Sequence, residues 1–333
     1  MQFTDTLLSW YEANKRSLPW RGETDPYKIW VSEIILQQTR VQQGWDYYLR
    51  FIDHFPTVKS LAEAPEEQVL RIWQGLGYYS RARNMHFAAQ QIMNEFNGCF
   101  PNHYKDILKL KGIGDYTAAA IGSIAFNLPY PAVDGNVLRI IARIFGITDD
   151  IAQPATKIAI TEICKHLIDM DKPGIFNEAA MEFGAIHCTP NNPNCESCPF
   201  QATCFALTHN SVNILPVKSN HLIKKERYFH FFIYLFNNQT IIEKRTEKDI
   251  WRNLYQFPLI EREGKILPYR KPNLTLKEVL THQVIYAAFY IIDNANTLPQ
   301  NDSQLIVNIS ELNNYPMPKI MLQGRRMLNI SPD

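Results

Sequence analysis

The sequence predicts a mainly α N-terminal region followed by a smaller C-terminal domain that mixes strands with helix. Three observations carry this reading. To about residue 206, apolar residues recur at helical spacing, and short loops bearing glycine and proline separate the runs. After Cys204 the composition changes, and residues 208–224 form a polar stretch with Pro216 that reads as a linker. Beyond it lie runs rich in aromatic and β-branched residues.

The first strongly marked helix starts at Asp25-Pro26, an N-cap followed by proline in the first turn. Ile29, Trp30, Glu33, Ile34 and Gln37 continue it at helical spacing. Further helices are expected over 5–15, 41–54, 66–73, 80–96, 104–110, 116–127, 136–145, 155–169 and 174–186. Strands are expected at Tyr228–Phe236, Thr240–Lys244 and Val284–Ile292, and residues 317–329 read as a closing helix. A chain of 333 residues suggests two or three domains. No internal repeat or low-complexity segment interrupts it.

Hydrophobic residues make up 46% and charged residues 20%, which favours a packed core over disorder. The N-terminus lacks a basic segment followed by an apolar one, and no apolar run reaches the roughly 18–20 residues that span a bilayer. A cytosolic protein is therefore expected. The net charge of +1 neither favours nor opposes nucleic acid. Local charge is more informative: no acid lies between Glu67 and Glu95, while Arg71, Arg81, Arg83 and His86 surround Gly75-Leu-Gly-Tyr-Tyr. Such a loop suits a phosphate backbone and base stacking. It equally suits a solvated helix end with core tyrosines.

Of six cysteines, Cys188, Cys195, Cys198 and Cys204 fall within one short segment as C-x6-C-x2-C-x5-C. In an intracellular protein this density points to metal rather than disulfides. Four thiolates satisfy either tetrahedral zinc or a cubane iron–sulfur cluster, and spacing alone leaves both open. Cys99 and Cys164 are isolated and read as ordinary thiols.

Leu110-Lys-Gly-Ile-Gly-Asp-Tyr-Thr-Ala-Ala-Ala places Gly112 and Gly114 between two helices. The turn would expose backbone N–H groups at a helix N-terminus, an anion site suited to a DNA phosphate, although a tight helix–helix turn explains the pattern as well. Glu33 lies mid-helix in an apolar stretch, where a carboxyl is costly unless paired and has its pKa raised. Pairing with Arg21 or Arg40 is the bland explanation. Asp134 precedes Gly-Asn-Val-Leu and reads first as a helix N-cap. One acid and one anion are also what cleavage of a glycosidic bond through an oxocarbenium-like state requires.

Taken together, these residues resemble the helix-hairpin-helix DNA glycosylases of the endonuclease III superfamily, and within it the MutY-type adenine DNA glycosylases. Leu18-Pro-Trp-Arg, Val31-Ser-Glu-Ile-Ile-Leu-Gln-Gln-Thr, Gly75-Leu-Gly-Tyr-Tyr-Ser-Arg-Ala-Arg-Asn, Val133-Asp-Gly-Asn-Val and the cysteine loop carry the resemblance. The resemblance implies a six-helix barrel plus an iron–sulfur subdomain over residues 1–207, with a [4Fe–4S] cluster on Cys188, Cys195, Cys198 and Cys204. A linker at 208–225 and a Nudix-like α+β domain at 226–333 would follow.

By the same resemblance, Glu33 would protonate adenine N7 and then assist water, while Asp134 would stabilise positive charge on the sugar. Trp20, Arg21, Glu178, Tyr116 and Asn136 would line the pocket for a flipped adenine. Gln38 and Tyr78 would wedge into the duplex, and Gly112 and Gly114 would hold a phosphate. The strand-cleaving relatives carry a Schiff-base lysine where this chain has Tyr116, so a monofunctional enzyme that leaves an abasic site is implied. Lys111 lies nearby in the turn, and Asp115 replaces a basic residue common there, weakening one phosphate contact while offering a helix N-cap. Leu280-Thr-His resembles the segment that reads 8-oxoguanine, with Thr281 and His282 as candidate contacts. Trp251-Arg-Asn-Leu-Tyr-Gln-Phe-Pro lacks the glycines of the matching family stretch, and no glutamate-rich hydrolase helix is found, so this domain should bind rather than hydrolyse. The implied partner is double-stranded DNA bearing A:8-oxoguanine or A:G, engaged by a monomer in a bacterial cytosol. A pyrimidine-lesion lyase and a non-catalytic redox sensor are the rival readings. Tyr116 opposes the first, and the Glu33 and Asp134 contexts oppose the second.

Overall fold

The computed structural model describes residues 2–219, 223–268, 270–293, 298 and 303–330. The helices are α1 Gln2–Asn14, α2 Pro26–Leu36, α3 Val41–His54, α4 Val58–Glu63, α5 Glu66–Ile72, α6 Ser80–Glu95 and α7 Tyr104–Ile107. Then come α8 Asp115–Phe126, α9 Gly135–Phe145, α10 Pro154–Leu167, α11 Pro173–Ile186 and α12 Phe205–Thr208. The expected mainly helical N-terminal region is therefore present. The short α4 and α12 were not anticipated, because one or two turns carry too little periodicity to read.

Contacts divide the chain into two compact units: Met1–Ala62 with Phe87–Asn220, and Glu63–His86 with His221–Asp333. In the first, α8 packs against α2 and α11, and α11 also packs against α1 and α9. Leu7, Tyr11, Ile140, Ile141, Phe176 and Phe183 form its core, with Cys188, Cys198 and Cys204 against its edge. Gly184 permits the close crossing of α11 on α9, since a Cβ there would stand 2.6 Å from the Cβ of Asn136. Residues after α12 return to this unit: Ile151 N–H donates to Val217 O at 2.9 Å, and the Arg143 Nε donates to Leu215 O at 2.8 Å.

The second unit holds β1 Lys225–Tyr234, β2 Gln239–Lys244, β3 Tyr255–Gln256, β4 Leu259–Glu261, β5 Leu274–Val279, β6 Gln283–Ile292 and β7 Gln304–Asn308. A 3₁₀ turn at Ile309–Asn314 and α13 Lys319–Met327 close it. Among the described residues the strands form one sheet in the order β4-β1-β6-β5 and a second in the order β3-β2-β7. Strands β1 and β6 run parallel with Tyr228 opposite Tyr286, whereas β5 pairs antiparallel with β6. Of these strands, β3, β4, β5 and β7 were not anticipated; β3 and β4 are only two and three residues long, and the alternating, half-exposed Leu-Thr-Leu-Lys-Glu-Val of β5 resembles a polar loop. Residues 63–86 belong to this unit through polar contacts: Glu67 Oε2 accepts from Lys244 Nζ at 3.2 Å and from Tyr255 OH at 3.1 Å, and Arg83 donates to Arg252 O at 2.9 Å. Among the described residues no helix is long and apolar enough to cross a membrane.

Candidate active site

A cavity of about 930 Å³ opens in the first unit. Trp20, Arg21, Glu33, Gln38, Tyr116, Asp134, Asn136 and Glu178 all line it, so these sequence-predicted residues share one site.

Glu33 is positioned by α2. Asp25 Oδ1 accepts from Tyr27 N–H at 2.9 Å, which caps the helix as expected, and Pro26 starts it. The helix is buried nearly all round, through Tyr27, Ile29, Trp30, Val31, Ile34 and Ile35. Glu33 is therefore only 8% exposed. Burial raises its pKa, Asp134 and Glu178 raise it further, and the Tyr116 hydroxyl and Arg21 oppose them; the carboxyl is pushed up to about 7. The Tyr116 hydroxyl donates to Glu33 Oε2 at 2.7 Å and lies 3.2 Å from the Met181 sulfur. Burial and the neighbouring carboxyls hold Tyr116 itself neutral. Arg21 does not pair with Glu33; its guanidinium lies 3.0 Å from both Glu178 and Glu182.

Asp134 is both the N-cap of α9 and a cavity wall. Its Oδ1 accepts from the N–H groups of Asn136 and Val137, each at 2.8 Å, and its Oδ2 accepts from Asn136 Nδ2 at 2.8 Å. Burial raises its pKa, against the lowering effect of these donors. Buried Asn177 fixes the segment leading to it: Asn177 Oδ1 accepts from Ala132 N–H at 2.9 Å, and Nδ2 donates to Tyr130 O at 2.9 Å and Ser123 Oγ at 2.8 Å.

Sequence reasoning missed the support beneath the pocket. Arg16 forks onto Glu182 at 2.7 and 2.8 Å, Arg21 joins Glu182 to Glu178, and Tyr11 OH donates to Glu178 at 2.9 Å. The signal was present as two glutamates four residues apart on α11, both facing the cavity. Within this network, among the described residues, Arg21 Nε is buried without a hydrogen-bond partner. Trp20 is held edge-on by Tyr48, with ring centroids 5.5 Å apart.

The hairpin turn places Gly112 at φ +81, a left-handed conformation that favours glycine. Gly114 occupies the cap position of α8, so Asp115 is the first helical residue rather than the cap. The Asp115 carboxylate instead accepts from Tyr104 OH at 3.0 Å. Lys111 is exposed, and its N–H donates to Gln91 Oε1 at 2.8 Å. Gln38, just past α2, is exposed at φ +58. In the second unit Tyr78 is 46% exposed at φ +48, and its hydroxyl is 2.6 Å from Thr281 Oγ1. His282 is exposed, and its carbonyl accepts from Lys225 N–H at 3.0 Å.

Cys188, Cys195, Cys198 and Cys204, all free thiols, line a second, small cavity with Phe183 and His187. Among the described residues no group of three or more His, Cys, Asp or Glu is placed to hold a metal ion. The donor set nonetheless fits a thiolate-ligated group. Arg143 is 2% exposed, and among the described residues it has no carboxylate partner. Its guanidinium donates to the Thr189 and Pro190 carbonyls at 2.7 and 3.1 Å and reaches Cys188 Sγ at 3.4 Å. A buried cation facing sulfur calls for negative charge there.

Residues 31–168 match the profile of the HhH-GPD superfamily of base excision DNA repair proteins. An adenine DNA glycosylase of Buchnera aphidicola subsp. Baizongia pistaciae is 36% identical over 318 residues, which cover 91% of this chain and 90% of that protein. Among solved structures, a thermostable thymine-DNA glycosylase is 29% identical with a TM-score of 0.57, over 62% of this chain and 96% of its own. Endonuclease III in a non-covalent DNA complex shares the fold at a TM-score of 0.55 and 22% identity, over 63% of this chain and 95% of that one. The helical region thus has an endonuclease III-like fold, and the chain belongs to the adenine DNA glycosylases of the HhH-GPD superfamily of base excision repair proteins.

Proposed function

We propose that this protein removes adenine mispaired with 8-oxoguanine or guanine in double-stranded DNA, by hydrolysis of the N-glycosidic bond, leaving an abasic site. One observation carries this: a buried carboxyl, Glu33, whose pKa of about 7 keeps it partly protonated at neutral pH beside the carboxylate of Asp134. An acid poised near the working pH transfers a proton most effectively.

The target base is inaccessible inside a duplex, so it is flipped into the cavity. Arg21, held between Glu178 and Glu182, and the ring of Trp20 form part of the wall it meets. Glu33 protonates adenine N7, and the C1′–N9 bond breaks with its electron pair leaving on the base. The Asp134 carboxylate, fixed as a helix cap, stabilises the oxocarbenium-like sugar. Glu33, now ionised, draws a proton from water as its oxygen attacks C1′. Tyr116 stands where strand-cleaving relatives carry an amine; a neutral phenol forms no Schiff base, so the enzyme is monofunctional.

Cys188, Cys195, Cys198 and Cys204 would hold a [4Fe–4S] cluster, with Arg143 balancing its charge. When bound, the cluster uses all four thiolates as ligands, so it orders the loop 188–204 and leaves hydrolysis to Glu33 and Asp134. The sheet-bearing C-terminal region is read as a Nudix-like domain that recognises 8-oxoguanine through Thr281, His282 and Tyr78, without hydrolysing nucleotides. The enzyme works as a monomer in the cytosol.

Single-turnover assays on A:8-oxoguanine and A:G duplexes test the reading. Adenine release without strand nicking is expected, faster opposite 8-oxoguanine, and it is lost in Glu33→Gln while tight DNA binding remains. Retained activity in that variant sinks the role of Glu33. Equal rates on all adenine pairs remove the C-terminal assignment.

A further inference from the structure

We infer that Tyr104 and Tyr130 form a second nucleobase subsite at the rim of the catalytic cavity, a stacking platform for an unpaired base other than the one being cleaved. This inference rests on the proposed adenine excision and goes beyond it.

The two rings stack with centroids 4.1 Å apart and planes inclined by 14°. Both residues line the cavity that contains Glu33 and Asp134. The stack has an inner and an outer member. Tyr104 packs against the buried Ala119, Ala120 and Ala132, whereas Tyr130 is 38% exposed. One column therefore runs from the core through Tyr104 to Tyr130, the more exposed ring of the pair. A further planar ring continues such a column at ordinary stacking distance.

Two sets of polar contacts keep the platform rigid before anything binds. The Tyr104 hydroxyl donates to Asp115 Oδ1 at 3.0 Å, which fixes the inner ring. The backbone of Tyr130 is held by the Asn177 amide at 2.9 Å, and its own N–H donates to Leu128 O at 2.8 Å. The carboxylate of exposed Asp115 beside the stack disfavours a phosphate there, so a neutral, flat group is the better occupant. A nucleobase has that chemistry. It can come from the nucleotide next to the target adenine on the same strand, or from free adenine after cleavage.

The experiment uses the full chain and its Tyr130→Ala and Tyr130→Phe variants. Dissociation constants and saturating single-turnover rates are measured on A:8-oxoguanine duplexes with either a normal base or an abasic analogue on each side of the target. Equilibrium dialysis with labelled adenine is run in parallel. Loss of one base–aromatic stack corresponds to roughly a 5- to 150-fold loss of affinity. If the neighbour is the occupant, removing its base weakens wild-type binding to that extent. Tyr130→Ala then binds both duplexes equally weakly, and Tyr130→Phe behaves as wild type. If free adenine is the occupant, wild type binds it in dialysis, Tyr130→Phe keeps that binding and Tyr130→Ala loses it. Adenine release by wild type, with neither effect dependent on Tyr130, overturns the subsite alone. Absence of adenine release from every duplex overturns the underlying activity and the subsite with it.

Discussion

Replacing Glu33 by glutamine is expected to stabilise the helical unit while abolishing base release. Glu33 is 8% exposed, and burial is the main reason its carboxyl moves from 4.5 to about 7. At 1.36 kcal/mol per pH unit, keeping that group ionised in the folded chain costs about 3 kcal/mol above pH 7. The sign follows from proton binding. The folded chain holds this proton more tightly than the unfolded one, so wild-type stability falls as pH rises from 4.5 through about 7. Glutamine keeps the shape and can accept from the Tyr116 hydroxyl, which now lies 2.7 Å from Glu33 Oε2. An amide N–H₂ left without an acceptor takes back about 1 kcal/mol, leaving a net gain of about 2 kcal/mol. Urea denaturation of both proteins at about pH 5 and pH 8 measures this, with a small difference at the first and the full gain at the second. A variant no more stable than wild type at the higher pH, or a gain that does not grow with pH, refutes the reasoning. Single-turnover assays on the same samples add a second constraint. Wild-type base release declines as pH rises through about 7, because the general acid must carry its proton, and the variant has none to give.

Three further outcomes are expected. Tyr116→Phe removes a hydrogen bond that lowers the Glu33 pKa, so the falling limb of the pH–rate profile moves up by about 1 to 2 pH units; an unmoved limb dissociates the hydroxyl from the acid. Glu182→Ala leaves Arg16 without its carboxylate and Arg21 with Glu178 alone, and destabilises the protein by about 3 kcal/mol in chemical denaturation; a loss under 1 kcal/mol shows the network to be solvent-screened. Cys198→Ser lowers iron and acid-labile sulfide in the purified protein and exposes the loop 188–204 to protease; a colourless, zinc-containing wild type contradicts the cluster.

Most of the helical region was legible because its signals are local. Asp25 and Asp134 cap the helices they precede, and the apolar spacing of α2 shows directly that Glu33 lies among buried residues. The carboxylate pair was legible for the same reason. The Arg16–Glu182–Arg21–Glu178 network was not: the i,i+4 glutamates of α11 are visible, but each pairs with an arginine more than 150 residues away that no local signal assigns to it. Asn177 shows the same limit. Its neighbours in sequence suggest an ordinary helix residue, yet it fixes the approach to Asp134 through three hydrogen bonds. The edge strand β5 escaped notice because half-exposed alternation of polar and apolar residues has a weak signature.

The second unit is assembled from two separated stretches of chain, 63–86 and 221–333. During synthesis the first stretch emerges well before its partners exist. Roughly 135 residues must follow it, about 7 to 27 s at ordinary elongation rates. Throughout that interval Glu66, Glu67, Arg83 and Tyr79 lack Asn253, Lys244, Tyr255, Arg252 and Met317, the residues that later hold them. The glycine- and tyrosine-bearing stretch around Gly75 and Tyr78 thus completes its structure only after the C-terminal strands have left the ribosome. A nascent chain released early would carry the acid and its pocket but lack a finished Tyr78 loop.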